Sequence, residues 1–151
     1  MSLLLLEAPK LDIFAKKNCD TQNDSSTKKE SHSQLHTKKH PESIICCKNC
    51  RQIITKDEFS MVVDGYHEHL QCNPHGFTFV FRCFREVWHV AQAGPPCLKD
   101  SWFPGFYWTI VHCNQCFVHL GWQFSTSPSP TKGDVFWGLL TDRLSHIRTD
   151  P

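Results

Sequence analysis

The chain has no apolar run approaching the ~20 residues that a membrane-crossing helix needs. Even the leucine quartet of "MSLLLLEAPK" is stopped at Glu7. A secretory core usually takes about 7–15 apolar residues, so this start is not a competent signal peptide and is the remnant of one at most. Charge of one sign is also lacking. Sixteen basic residues face fifteen acidic ones, a net charge of +1, which gives no electrostatic footprint for nucleic acid. The Lys/His clusters at 28–29 and 38–40 are diluted by Ser and Thr and form no patch. Neither a membrane nor a nucleic acid is expected as a partner, and the expected state is a monomer.

Aliphatic residues are missing from one long stretch. "DTQNDSSTKKESHSQLHTKKHPE" (20–42) holds only Leu35, and such a segment buries too little to offset its ordering entropy. Residues 1–43 are therefore read as a disordered arm and 44–148 as one domain. Asn23-Asp24-Ser25 is a glycosylation acceptor pattern, common by chance. Within the domain, helical periodicity is scarce and turn punctuation is dense: "NPHG", "AGPP", "FPG" and "SPSPTKG". "FTFVFRCF" (77–84) alternates strictly, placing Phe77, Phe79, Phe81 and Cys83 on one face of a half-buried strand. "EFSMVV" (58–63), "YWTIV" (107–111) and "VHLGWQF" (118–124) read as further strands, and "DVFWGLL" as a last strand or a helical turn. The expected fold class is mostly β, built of antiparallel strands.

Cysteine, by contrast, is abundant. Of nine, Cys47/Cys50 and Cys113/Cys116 form two Cys-x-x-Cys knuckles, a spacing that aims both sulfurs of a tight turn at one ion. Two knuckles supply a closed Cys₄ set, which suits structural Zn²⁺ and leaves no open position for catalysis. A sheet must bring the distant pairs together. Cys46 fits the knuckle spacing less well than Cys47. His112 and His119 flank the second knuckle and read as surface or hydrogen-bonded histidines. Cys72, Cys83 and Cys97 are candidates for a disulfide in a secreted protein, or for reduced thiols in an intracellular one.

Three of the five tryptophans lie between residues 102 and 122. Trp102 and Trp108 bracket a Pro-Gly turn, so a hairpin sets them opposite each other; Trp122 and Phe124 share a strand face. Indoles are awkward in a core because the N–H wants a partner. The residues alone leave core packing and an open aromatic cage equally placed. Trp88 and Trp137 stand apart and are expected in the core.

These residues resemble the CULT domain family, to which the thalidomide-binding domain of cereblon belongs. The likeness covers roughly 44–144 and rests on "NPHG" (73–76), "SWFPGFYWT" (101–109), "CNQC" (113–116), "HLGWQF" (119–124) and "FWGL" (136–139). It implies a β-tent, two antiparallel sheets meeting at an angle and pinned by a Cys₄ zinc. It further implies a ligand cage of Trp102, Trp108 and Trp122, with Phe124 as the floor and Asn73 on the closing loop. The family's ligands are cyclic imides such as the glutarimide of thalidomide, cyclic-imide C-termini of modified proteins, and uridine-like rings. Backbone groups of 100–102 and an indole N–H would meet the imide's polar edge.

Departures are visible: a residue commonly His is Asp100 here, and a preceding acidic one is Lys99. That implies altered preference at the rim, with backbone contacts kept. The cereblon segments that dock a ubiquitin-ligase adaptor have no counterpart in this sequence, which implies a stand-alone CULT protein, a form often secreted. The expected function is a non-enzymatic binding module. The alternatives are a ubiquitin-ligase substrate receptor like cereblon and an enzyme resembling methionine-R-sulfoxide reductase. The latter needs a nucleophilic cysteine late in the chain, and none follows Cys116. The cage walls are expected to be solvent-exposed, with Trp122 contributing little to stability.

Overall fold

The computed structural model describes residues 43–148; the expected arm lies, apart from Ser43, outside the described residues. Nine strands follow one another: β1 (Ser43–Cys47), β2 (Ile53–Lys56), β3 (Glu68–Cys72), β4 (Thr78–Phe84), β5 (Val90–Cys97), β6 (Tyr107–Cys113), β7 (His119–Ser125), β8 (Val135–Leu140) and β9 (Leu144–Arg148). They form a three-stranded sheet, β2-β1-β9, and a six-stranded sheet, β3-β4-β8-β7-β6-β5. Every pairing is antiparallel. The described helical content is two short 3₁₀ turns, Asp57–Phe59 and Thr141–Arg143. No helix among the described residues is long and apolar enough to cross a membrane.

The strands expected at 77–84, 107–111 and 118–124 are β4, β6 and β7. In β4 the alternation buries Phe81 and Cys83 and half-buries Phe79, while Phe77 lies beyond the strand in the hairpin turn and is exposed. "DVFWGLL" resolves into β8. The strand expected at 58–63 is absent. Residues 57–59 form a 3₁₀ turn, held by Arg82 on Asp57 at 3.2 Å, and the chain beyond it makes only isolated bridges at Ser60 and Val63. "AGPP" is no turn either. It lies inside β5, where the register shifts between Ala93 and Cys97. The shift takes Pro95 and Pro96 out of the ladder with β6, so the N–H groups they lack break no paired bond, as bulges on an edge strand allow.

Two apolar clusters fill the fold. One joins the sheets through Ile45, Ile54, Phe84, Val111, Leu120, Leu139 and Leu144. The other is aromatic: Phe81, Phe103, Trp122, Phe124 and Phe136 with Cys83 and Leu140. Trp137 packs against the first cluster while only half-buried. Trp88 is also half-buried, edge-on to Phe59 with its indole N–H on Glu86, so neither is the buried core residue expected.

Two glycines set how closely the central strands pack. A Cβ on Gly121 would sit 2.0 Å from the Gly138 carbonyl oxygen, and one on Gly138 would sit 2.7 Å from the Phe81 ring. Gly121 also has φ +148°. Gly121→Ala is expected to cost at least about 2 kcal/mol, because backbone cannot yield as a side-chain tip can. Urea denaturation checks this; an unchanged midpoint would show that β7 and β8 separate freely.

Candidate functional site

The first candidate site is the corner between the sheets. Cys47 ends β1 and Cys113 ends β6, and each opens a turn of the same form. The N–H of Arg51 donates to Cys47 O at 2.9 Å and that of Phe117 to Cys113 O at 3.0 Å. Arg51 and Phe117 hold the left-handed conformation, φ 67° and 59°. The two knuckles are thus one structure used twice.

All four ligand sulfurs of Cys47, Cys50, Cys113 and Cys116 lie within 4.8 Å of one another. Cys47–Cys116 is 3.6 Å and Cys50–Cys113 is 3.5 Å. A disulfide needs about 2.05 Å. A tetrahedral ion with Zn–S of about 2.3 Å sets sulfurs about 3.8 Å apart, so the spacing fits a metal. The donor groups around the sulfurs fit as well. The Asn49 side chain, then the Val118 N–H, hold Cys116 down to about 6. Cys50 receives the Gln52 N–H, yet desolvation and its three sulfur neighbours push it up to about 12. One negative charge is welcome in this cluster and four are not, unless a cation replaces the protons. The four cysteines can hold a metal ion.

Cys46 is buried outside this group, as the spacing favoured. Cys72, Cys83 and Cys97 are free thiols, Cys83 fully buried and Cys72 exposed. Cys19 lies outside the described residues.

The second site is a cavity of about 190 Å³ on the six-stranded sheet. Its floor and back come from pairing between β6 and β7, which sets Trp108 opposite Phe124 and Ile110 opposite Trp122 on one face. Trp102 comes from the β5–β6 connection. There Phe103-Pro104-Gly105-Phe106 makes a turn closed by Phe106 N–H on Phe103 O at 3.0 Å, with Gly105 at φ 88°, as a Pro-Gly pair favours. Phe103 is the plug that seats this loop: 2% exposed, its ring lies 4.8 Å from Phe124 and 5.1 Å from Phe136. Trp102 then stands edge-on to Trp122 at 4.9 Å.

Two indole N–H groups tie the rim together. Trp102 Nε1 donates to Cys72 O at 3.3 Å and Trp108 Nε1 to Lys99 O at 2.8 Å. Both are engaged with backbone carbonyls. The Asn73 loop is closed on itself: Asn73 Oδ1 accepts the Phe77 N–H at 2.9 Å, and Gly76 N–H reaches Asn73 O at 2.9 Å.

All six residues expected at this site, Asn73, Asp100, Trp102, Trp108, Trp122 and Phe124, line the one cavity. Phe79, Ile110 and His119 line it too. The first two were readable as members of alternating faces. His119 was hidden by a bulge: the register slips between Val111 and His112, so that His112 pairs with His119. Strict alternation from Trp122 puts His119 on the wrong face; the slip returns it. Its Nε2 lies 2.9 Å from Gly121 O and its ring 5.0 Å from Trp122. Burial lowers its pKa below the usual value, so the ring is neutral at pH 7, donating from Nε2. One expectation fails: Trp122 is no solvent-exposed wall. It is 9% exposed and part of the aromatic cluster. A concave site on a sheet gives its wall a front toward the cavity and a back in the core.

Protein cereblon of Xenopus tropicalis is 36% identical to this chain over 110 residues, 71% of this chain and 24% of that protein. The Gallus gallus protein is 35% identical over 103 residues, covering 66% and 23%. That of Drosophila simulans is 32% identical over 102 residues, covering 65% and 17%. This chain carries a cereblon-like CULT domain. It spans about a quarter or less of the length of these relatives, so the likeness is to one part of them. No family model matches the chain. Among solved structures, the Mis18 "Yippee-like" domain aligns with TM-score 0.49 and 13% identity, covering 73% of this chain and 99% of that one, too slight a likeness to argue from.

Purified CULT domain is expected to hold one equivalent of divalent metal per chain. Cys50→Ser should release it and unfold the domain, because a closed site contributes folding energy. Elemental analysis with circular dichroism checks this; folded protein with less than half an equivalent contradicts it.

Proposed function

We propose that the domain is a non-enzymatic binding module that holds a small flat ring, a cyclic imide of the glutarimide type or a uridine-like ring, in the tryptophan-walled cavity. The ring is either a free small molecule or the modified C-terminus of a protein. The observation that carries this is the convergence of Trp102, Trp108, Trp122 and Phe124 on one cavity of about 190 Å³. Indole faces cover the CH₂ side of such a ring, and polar groups of the rim meet its N–H and carbonyls. Each matched polar contact discriminates against rings that lack it. Zinc in the Cys₄ corner is structural in this reading: it locks the ends of β1 and β6 and takes no part in ligand contact.

Support for a binding rather than catalytic role comes from the lining. Its polar side chains are Asn73, Asp100 and His119, and the His119 ring is already engaged with Gly121 O. Among the described residues no cysteine lies on the lining to serve as a nucleophile.

Affinity is bounded by ligand size. About ten heavy atoms at roughly 0.3–0.8 kcal/mol each allow a Kd no tighter than about 1 μM. Trp108 is half-buried and packs on the aromatic cluster from outside, whereas Trp122 is a buried member of it, so Trp108 is the wall that can be removed with less harm to the core. Glutarimide should quench the intrinsic fluorescence of the wild type. Trp108→Ala should weaken binding at least about tenfold, roughly the 1.4 kcal/mol that one lost aromatic contact is worth, with metal content unchanged. Trp122→Ala should lose both binding and about 3 kcal/mol or more of stability. Full-strength binding by Trp108→Ala, or no binding by wild type, removes the cage reading.

A further inference from the structure

Neutral aromatic walls do not account for one atom at this site. Asp100 lines the cavity, and it is the one charged side chain among the described residues that do so. Its Oδ1 is buried with no hydrogen-bond donor from the protein. No ion pair includes it among the described residues. A buried carboxylate oxygen without a donor is expensive, and native proteins rarely keep one without use.

The backbone holds the group there. Asp100 takes φ 59°, a left-handed conformation that Asp and Asn tolerate better than most residues. Its neighbour Lys99 accepts the Trp108 indole N–H through its carbonyl at 2.8 Å. Two residues on, Trp102 is tied to Cys72 O. Asp100 is therefore clamped between two walls of the cage.

Aromatic faces and a carboxylate attract the same thing, a cation. The oxygen adds a condition, since it needs a hydrogen rather than charge alone. A quaternary ammonium has none to give; a protonated primary or secondary amine supplies both. We propose that the ring bound in this cavity carries a protonated amine, which Asp100 receives, making Asp100 the residue that sets specificity. This rests on the reading of the cavity as a site for a flat imide-type ring and names the class of ring within it.

The test titrates three probes into the metal-loaded protein at a pH where the amine is protonated: glutarimide, 3-aminoglutarimide and N-acetyl-3-aminoglutarimide. Wild type should bind the amine about tenfold more tightly than its acetylated form, as a charge-assisted hydrogen bond warrants. Asp100→Asn keeps the shape and tolerates the same φ, so it should erase that preference, the amine and its acetylated form then binding alike. Equal affinity of wild type for amine and acetylated ring, or a preference that survives in Asp100→Asn, overturns the proposal while the ring-binding reading stands. Failure of all three probes to bind overturns both.

Discussion

Four sulfurs gathered within 4.8 Å are the constraint on which the remaining architecture depends. The small sheet has three short strands, and its buried residues pack against the large sheet. It is held to the large sheet by β8 running on to β9, by the shared apolar cluster of Ile45, Val111 and Leu144, and by the cysteine corner. The corner brings the ends of β1 and β6 together through their knuckle sulfurs. Because β6 also carries Trp108 and Ile110, whatever fixes its knuckle end also fixes the register in which those rings meet Trp122 and Phe124.

That register lets the same residues serve twice. The cavity is not carved beside the core; its back is the core. Phe81 stacks on Trp102 at 5.4 Å and 14° while meeting Trp122 nearly edge-on at 6.1 Å. Gly138, opposite Trp122, leaves the gap that Phe81 fills. Rigid walls of this kind lower the entropy cost of binding, since few side chains remain to be ordered by a ligand. The same packing explains why core and cage could not be told apart from residue types alone. Trp122 belongs to both.

How much was legible depended on which physics each segment expresses. Strands β4, β6 and β7 showed themselves because they are half-buried and alternate. The knuckles showed themselves because metal ligation fixes spacing, and the six cavity residues because family motifs surround them. Strands β1, β2 and β9 stayed hidden, being short and flanked by knuckle or turn residues, with pairing partners far away in the chain. β5 was masked by Pro95 and Pro96, whose cost vanishes on an edge. His119 was lost to a bulge, which alternation cannot foresee. The unpartnered oxygen of Asp100 is a property of packing, and no sequence pattern announces it.

The central claim is that three particular indoles bound one ligand cavity. Each tryptophan gives one indole N–H resonance in a nitrogen–proton correlation spectrum, so the five can be followed separately during a glutarimide titration. Saturable shifts are predicted for Trp102, Trp108 and Trp122, with Trp88 and Trp137 still. Shifts confined to Trp88 or Trp137, or no shift at millimolar ligand, would contradict the claim.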